Sequence, residues 1–293
     1  MNGLVLIDKP GGCTSHDVVN RWRKLADTKR VGHLGTLDPM ATGLLLLLTG
    51  TATRLAPYFA TDEKTYEAEI TLGLISDTYD IEGRVVATGV PVPDTPNAIV
   101  LALNQFSGKF VQVPPPVSAK KIGGIPAYKL HRKNMEFELK PVEVEVKKLE
   151  IQQIALEKVR LVIICTAGTY IRSIAHHLGQ LLGCGGVLSS LRRTAVGSMH
   201  LKDALTLDRL NDLARTGKLT EAVVPLGKLL PHLPAEHVNF QTEAQIRQGR
   251  DFRTSPFVVP RGAPTVRALS RSGELIAMGE LKLPNIYHPN TVL

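Results

Sequence analysis

Five consecutive leucines, Leu44–Leu48, constrain this chain more than any other feature. Successive side chains of a strand point to opposite faces, so an all-leucine run needs apolar cover on both. Five residues are too few to cross a bilayer, and the run reads as a buried strand. Just before it stands Gly32-His33-Leu34-Gly35-Thr36-Leu37-Asp38-Pro39, a short glycine-rich loop holding one carboxylate. Its glycines let backbone approach closely, and Asp38 has the rings of Pro39 and His33 on either side. A loop aspartate either satisfies a turn or carries chemistry, and residues elsewhere must choose.

The 293 residues suit one large domain or two smaller ones, and a hydrophobic content of 43% supports a sizeable core. A formal net charge of +8 favours a polyanionic partner, nucleic acid first and an anionic membrane surface second. The N-terminus enters Leu4-Val5-Leu6-Ile7 directly, without a basic leader, and no segment reads as membrane-spanning. Cys13, Cys165 and Cys184 are too few and too scattered for a disulfide framework or a metal site. A reduced, cytoplasmic setting is expected. His176 and His177 are neighbours that point apart on a helix, so no metal is expected.

Residues 3–7 read as a buried strand, and Thr14-Ser15-His16-Asp17 as a capping box opening a helix. A short helix is expected over 51–59. Tyr66, Ala68, Ile70 and Leu72 alternate with polar residues as in a strand. Ser76–Gly83 reads as a polar turn before a strand at 84–87. Thr95-Pro96 opens a helix to about Phe106, two strands fill 142–165, and helices follow at 169–182 and 207–215. Residues 1–230 thus read as one α+β unit. From 231 to 293, strand-like pieces (257–259, 266–269 and 275–278) separated by Gly and Pro suggest a small all-β unit.

Three further segments have chemical potential. Residues 118–133 contain five cationic residues and no acid. They read as a basic loop suited to a phosphate backbone, with salt-dependent binding. Gly168-Thr169-Tyr170-Ile171-Arg172-Ser173 lies at a strand-to-helix junction, with Thr169 as the expected N-cap. That puts Arg172 in the first turn, where a cation opposes the helix dipole and needs an anionic partner; Asp38 is a candidate. Leu191-Arg192-Arg193-Thr194 follows a glycine-rich turn, and its arginines read as solvated.

Together these segments resemble the TruB family, the tRNA pseudouridine 55 synthases of bacteria. The opening motif looks like Asn2-Gly3 through Lys9-Pro10 to Thr14-Ser15-His16. The catalytic motif is matched by Gly32–Pro39 with Ala41, Gly43 and Leu44. Lys64-Thr65-Tyr66-Glu67-Ala68, continuing to Asp77, Thr78 and Asp80, is similar to the tyrosine motif. Gly168–Ser173 looks like the arginine motif, and Leu191–Thr194 resembles the last catalytic one. The C-terminal β unit sits where the family carries a PUA-type RNA-binding domain. Departures are His177 in place of an acid, Ser76 in place of threonine, and Gly123 in place of Asn or Asp.

The resemblance implies a pseudouridine synthase fold: a mixed, mostly antiparallel sheet flanked by helices, then a small β-barrel. It implies isomerisation of the T-loop uridine at tRNA position 55, without cofactor or metal. Asp38 would act as nucleophile, leaving open attack on the base, attack on the ribose, or proton abstraction giving a glycal. The uridine would be flipped out of its stack, with His33 wedged in the vacated place. Tyr66 would stack on the uracil, its hydroxyl available for removing the C5 proton. Arg172 would pair with Asp38, Leu191 would wall the pocket, and Lys9 would support the site. The partner is the tRNA T-arm, with no membrane, no obligatory protein partner and a monomeric state expected.

Competing classes are a tRNA-remodelling binding protein, which gives Asp38 no task, and a guide-RNA-dependent synthase. The latter tends to carry lysine-rich tails that are not evident here. A two-carboxylate hydrolase lacks a second acid, since Asp77 and Asp80 read as turn-capping residues.

Overall fold

The computed structural model describes residues 1–118, 120–127, 130, 133, 135 and 137–293, without the side chains of Lys121 and Pro126. Of the expected basic loop, Ala119, Tyr128, Lys129, His131 and Arg132 lie outside the described residues.

Strand β1 (Gly3–Lys9) leads into α1 (Ser15–Leu25) through the expected capping box. The Thr14 hydroxyl accepts from the Asp17 amide at 3.1 Å, and Asp17 accepts from the Thr14 amide at 2.9 Å. Strand β2 (Val31–Leu34) then takes up the first half of the expected Asp38 loop, so His33 stands on a strand and the loop proper begins at Gly35. Strand β3 (Thr42–Thr49) carries the leucines and pairs antiparallel with both β1 and β2. A 3-10 helix, Gly50–Phe59, fills the expected helical segment.

There follow β4 (Lys64–Leu72), α2 (Pro96–Asn104), β5 (Gly108–Gln112), β6 (Val142–Ala155), β7 (Lys158–Cys165), α3 (Ile171–Leu181), β8 (Gly186–Val196), β9 (Leu205–Thr206) and α4 (Leu207–Arg215). The main sheet runs β9-β1-β3-β8-β4-β7-β6-β5. Pairings are antiparallel except β1–β9 and β3–β8, which are parallel. The architecture is therefore the expected α+β, mixed and mostly antiparallel sheet.

The leucine run divides between two cores. Leu45 and Leu47 pack with Val5, Ile7, Trp22, Tyr66 and Ile174 beneath the helices. Leu44, Leu46 and Leu48 pack on the other face with Leu4, Leu6, Leu229, Leu269 and Met278. All five are at most 1% exposed. At about 2 kcal/mol per buried leucine side chain they contribute roughly 10 kcal/mol, comparable to the net stability of a whole domain. β3 is thus the anchor from which the Asp38 loop is hung.

The second core belongs partly to the C-terminal strands. These are β10 (Ala235–His237), β11 (Phe252–Arg253), β12 (Thr265–Leu269), β13 (Leu275–Leu283) and β14 (Ile286–Val292). They form a five-stranded sheet in the order β10-β12-β13-β14-β11, curled into a half-barrel of PUA-like form. Two expectations fail here. The unit is not all-β, because α5 (Phe240–Arg247) follows Asn239, whose side chain accepts from the Thr242 amide at 2.9 Å. That helix has one buried side chain, Ile246, so no apolar period announced it. Phe257–Val259 is a turn, with the Val258 and Val259 amides both donating to Ser255 O.

Where β3 meets β8 in parallel, Gly43 sits at φ +98°, and a Cβ there would lie 2.3 Å from Arg193 O. Gly43→Ala is expected to combine left-handed strain with a backbone clash and to cost about 3 kcal/mol or more. A lower denaturant midpoint at unchanged slope would register it.

Candidate active site

The Asp38 loop is fixed from below. Lys9 is fully buried; its Nζ donates to Pro10 O at 2.8 Å, Pro39 O at 3.1 Å and Ala41 O at 2.7 Å. These bonds use all three ammonium donors. Burial pushes the Lys9 pKa below its ordinary value. The Ser15 hydroxyl accepts from the Leu37 amide at 2.9 Å and donates to Leu37 O at 3.1 Å. The Asp38 carboxylate is left to find its partner outside the loop.

Helix α3 brings the cation. Its N-cap is Tyr170, not the expected Thr169, whose hydroxyl donates to Thr166 O instead. The shift has a cause in β5: buried Gln112 takes the Tyr170 amide at 2.8 Å and donates to Tyr170 O at 3.0 Å, which sets where the helix begins. Arg172 then lies in the first turn, as expected, with its side chain 6% exposed. Its Nη2 donates to Asp38 Oδ1 at 2.9 Å and Val117 O at 2.9 Å. Its Nη1 donates to Thr78 O at 3.1 Å and pairs with Asp80 Oδ2 at 3.4 Å.

Asp80 was expected to cap a turn, and it does: its Oδ1 accepts from the Thr78 hydroxyl at 2.6 Å and the Glu82 amide at 3.0 Å. Its buried Oδ2 also grips Arg172, a contact the sequence did not announce. The turn is pinned to β8, since the Leu188 amide donates to Tyr79 O and the Ile81 amide to Leu188 O. Tyr79 stacks on His176 of α3, centroids 3.8 Å apart. Arg172 therefore holds two carboxylates from different parts of the chain. Burial raises the Asp38 pKa above the ordinary aspartate value; Arg172 pulls it back and Asp80 adds to the rise.

Asp38, Arg172, Tyr66 and Leu191 line one cavity of about 230 Å³, together with Lys64, Tyr170 and Arg193. It is smaller than a drug-sized pocket. Tyr66 on β4 and Leu191 on β8 lie on adjacent strands, Leu191 opposite Ala68 and Tyr66 opposite Arg193. Burial raises the Tyr66 pKa, and the neighbouring Arg193 charge opposes the rise. The structure thus gathers four of the six expected site residues. Lys9 acts from beneath, outside the lining. His33 also stands outside it on β2, half-buried, its Nδ1 without a partner. Burial and then Arg193 hold its pKa low, which favours the neutral ring.

The expectation of two solvated arginines fails. Arg193 is fully buried, with Nε donating to Leu44 O at 2.7 Å and Nη2 to Gly35 O at 3.0 Å. Arg192, on the opposite face, pairs with Asp8 at 2.8 Å. Adjacent strand residues must part to opposite faces; only the tertiary packing shows that one of those faces is interior. Among the described residues no helix is long and apolar enough to cross a membrane.

Comparisons with known proteins identify the family. Residues 23–171 match the family model for the TruB family pseudouridylate synthase (N terminal domain), and 172–231 that for the tRNA pseudouridylate synthase B C-terminal domain. A tRNA pseudouridine synthase B of Solibacter usitatus is 49% identical over 293 residues, covering 100% of both chains. One from Opitutus terrae is 44% identical over 234 residues, 80% of this chain and 96% of the relative. Among solved structures, a chain of a Cbf5-Nop10-Gar1 complex aligns with a TM-score of 0.73 at 26% identity, covering 99% of this chain and 84% of that one. A chain of an H/ACA RNP bound to a substrate RNA containing 2′-deoxyuridine aligns at 0.72 and 25%, with the same coverage. On matches that span most of its length, the chain belongs to the TruB family of pseudouridylate synthases.

Proposed function

We propose that the protein isomerises a tRNA uridine to pseudouridine, and that the target is the T-loop uridine at position 55. The observation that carries the reading is the Asp38–Arg172 pair, 2.9 Å apart in a cavity that also holds Tyr66 and Leu191. The charge of +8 suits a polyanionic substrate. In this reading a flipped uracil enters that cavity and stacks on the Tyr66 ring, with Leu191 as a wall and the ribose toward Asp38. In the site so read, Asp38 is the nucleophile, Arg172 orients it, and Lys9 keeps the loop from relaxing. His33 serves outside the cavity, filling the stack the nucleotide has left. Residues 118–133 grip the backbone, and residues 231–293 form a PUA-type RNA-binding unit.

A second reading has one observation in its favour. The aligned solved chains come from complexes, one named with Nop10 and Gar1 and the other an RNP. Stand-alone action as a monomer on the T-arm is the reading we favour, because the 49% identical relative carries the name of a tRNA pseudouridine synthase and not of a complex. Incubating the purified chain with an isolated T-arm stem-loop and mapping the product by carbodiimide chemistry and mass spectrometry tests both. Conversion at the T-loop uridine without added protein or guide RNA is the expected result. Strict dependence on added factors, or conversion elsewhere, would reverse it.

A further inference from the structure

Among the described residues, two buried polar atoms of the cavity lining meet no partner in hydrogen-bonding geometry, the Ser118 hydroxyl and Arg193 Nη1, and only the second carries a charge. Arg193 is held rigidly, its Nε on Leu44 O and its Nη2 on Gly35 O. Its Nη1 is buried and meets no acceptor in full hydrogen-bonding geometry; the Tyr66 hydroxyl is its polar neighbour, close enough for the guanidinium to oppose the rise in the Tyr66 pKa. A buried donor without an acceptor is costly and rare in native proteins. Among the described residues no carboxylate lies within ion-pair distance of this guanidinium, unlike Arg172 with its two. Lys64 brings a second positive charge to the same wall, its Nζ donating to the Asp62 carbonyl. Gly35 lies against the same group: a Cβ there would stand 3.4 Å from both Arg193 Nη1 and Lys64 Cε. Arg193 also faces Tyr66 across the β4–β8 pairing, on the side where the base is read to stack.

We infer that Arg193 Nη1 is an oxyanion donor for the reaction: it receives a carbonyl oxygen of the flipped uracil and stabilises the charge that ring acquires when it is detached. The inference rests on the reading of the site given above. In the ribose route, an Asp38 oxygen bonds to C1′ as the C1′–N1 bond breaks. The bond pair leaves with the uracil and spreads over N1 and the carbonyl oxygens. The uracil then turns, C5 bonds to C1′ and the carboxylate departs with its own pair; the C5 proton passes to solvent while N1, which kept the glycosidic pair, takes one up, giving neutral pseudouridine. A fixed cationic donor aimed where charge develops favours the detached state over the bound nucleoside. Arg172 is not free for this task, since its two Nη nitrogens are committed to Asp38, Asp80 and two carbonyls.

The test couples enzyme and substrate. Wild type and Arg193→Lys are each given T-arms bearing uridine, 2-thiouridine or 4-thiouridine at the target, and single-turnover rates are compared. Arg193→Lys is expected to lose about 100-fold in rate on uridine, with tRNA affinity within a few-fold of wild type. For one of the two thio substrates, the sulfur effect in wild type should differ from that in the variant by about tenfold or more. Equal sulfur effects in both proteins would overturn the inference. So would a variant that binds tRNA weakly yet turns over at the normal rate, which would assign Nη1 to a phosphate. Should Arg193→Lys fail to fold, a structure of Asp38→Asn with an unreacted T-arm decides. Nη1 within hydrogen-bonding distance of O2 or O4 supports the inference, and a uracil whose oxygens lie beyond reach of Nη1 overturns it. Full turnover by Asp38→Asn would instead bring down the underlying reading of the site, so the two failures are separable.

Discussion

Asp38→Asn is expected to abolish pseudouridine formation while leaving the fold and tRNA binding in place. Asparagine keeps the volume and one oxygen for Arg172 but cannot serve as an anionic nucleophile. The rate should fall by at least about 10⁴-fold, as for other removed nucleophiles, with affinity changed only a few-fold. Quantitative mass spectrometry of the tRNA, beside a filter-binding isotherm, measures both. Unchanged turnover would remove Asp38 from the mechanism.

The same substitution has an expected effect on stability. The Asp38 carboxyl takes up its proton at higher pH in the folded protein than in the unfolded chain. Between those two values the native state binds more protons, so stability falls as pH rises through that window. Above the window the wild type carries the cost of a partly desolvated charge, which the neutral amide avoids. Asp38→Asn should therefore melt no lower than wild type at neutral pH and lose its advantage in acid. The acid limb of wild-type activity should lie above the ordinary aspartate pKa for the same reason.

Arg172→Met is expected to damage both activity and stability. Removing this buried guanidinium leaves Asp38 and Asp80 desolvated with no cation between them. Breaking such a pair costs about 3–5 kcal/mol. Adding Asp80→Asn should return part of that stability, because the second change removes the stranded charge; additive losses would show that the two do not interact. Activity should stay low in the double variant, since Asp38 still lacks its partner. In whatever activity Arg172→Met retains, the acid limb should move to higher pH, because the interaction that pulls the Asp38 pKa down is gone. Single-turnover rates across the limb, with unfolding midpoints for the three proteins, provide the check.

Much of this was legible from local sequence. Period-two alternation announced β4, and its burial follows that alternation, with Tyr66, Ala68, Ile70 and Leu72 inward. The capping box announced α1, because its bonds join residues three apart. Asp38, Tyr66, Arg172 and Leu191 were reachable because each sits in a contiguous motif, and the motifs together resemble one family.

What escaped was long-range. Thr169 has the chemistry of an N-cap, yet Gln112 from β5 moved the helix start by one residue. Asp80 has the spacing of a turn cap, and nothing within its own turn shows that Arg172 arrives on its other oxygen. Arg193 carries a charge that sequence reasoning sends to solvent, and its acceptors at Leu44 and Gly35 come from the other side of the molecule in sequence.

By itself, the order of residues determined most of the strands and helices, that Leu44–Leu48 must lie between two apolar layers, and that a loop carboxylate sits beside them. Such properties depend on neighbours a few positions away, whose side chains are bound to meet. Only the tertiary structure decided which cation meets that carboxylate, that Asp80 shares it, and that Arg193 faces the cavity with a donor unspent. These contacts join residues far apart in the chain, and their distances exist only once the two cores have closed on either face of β3.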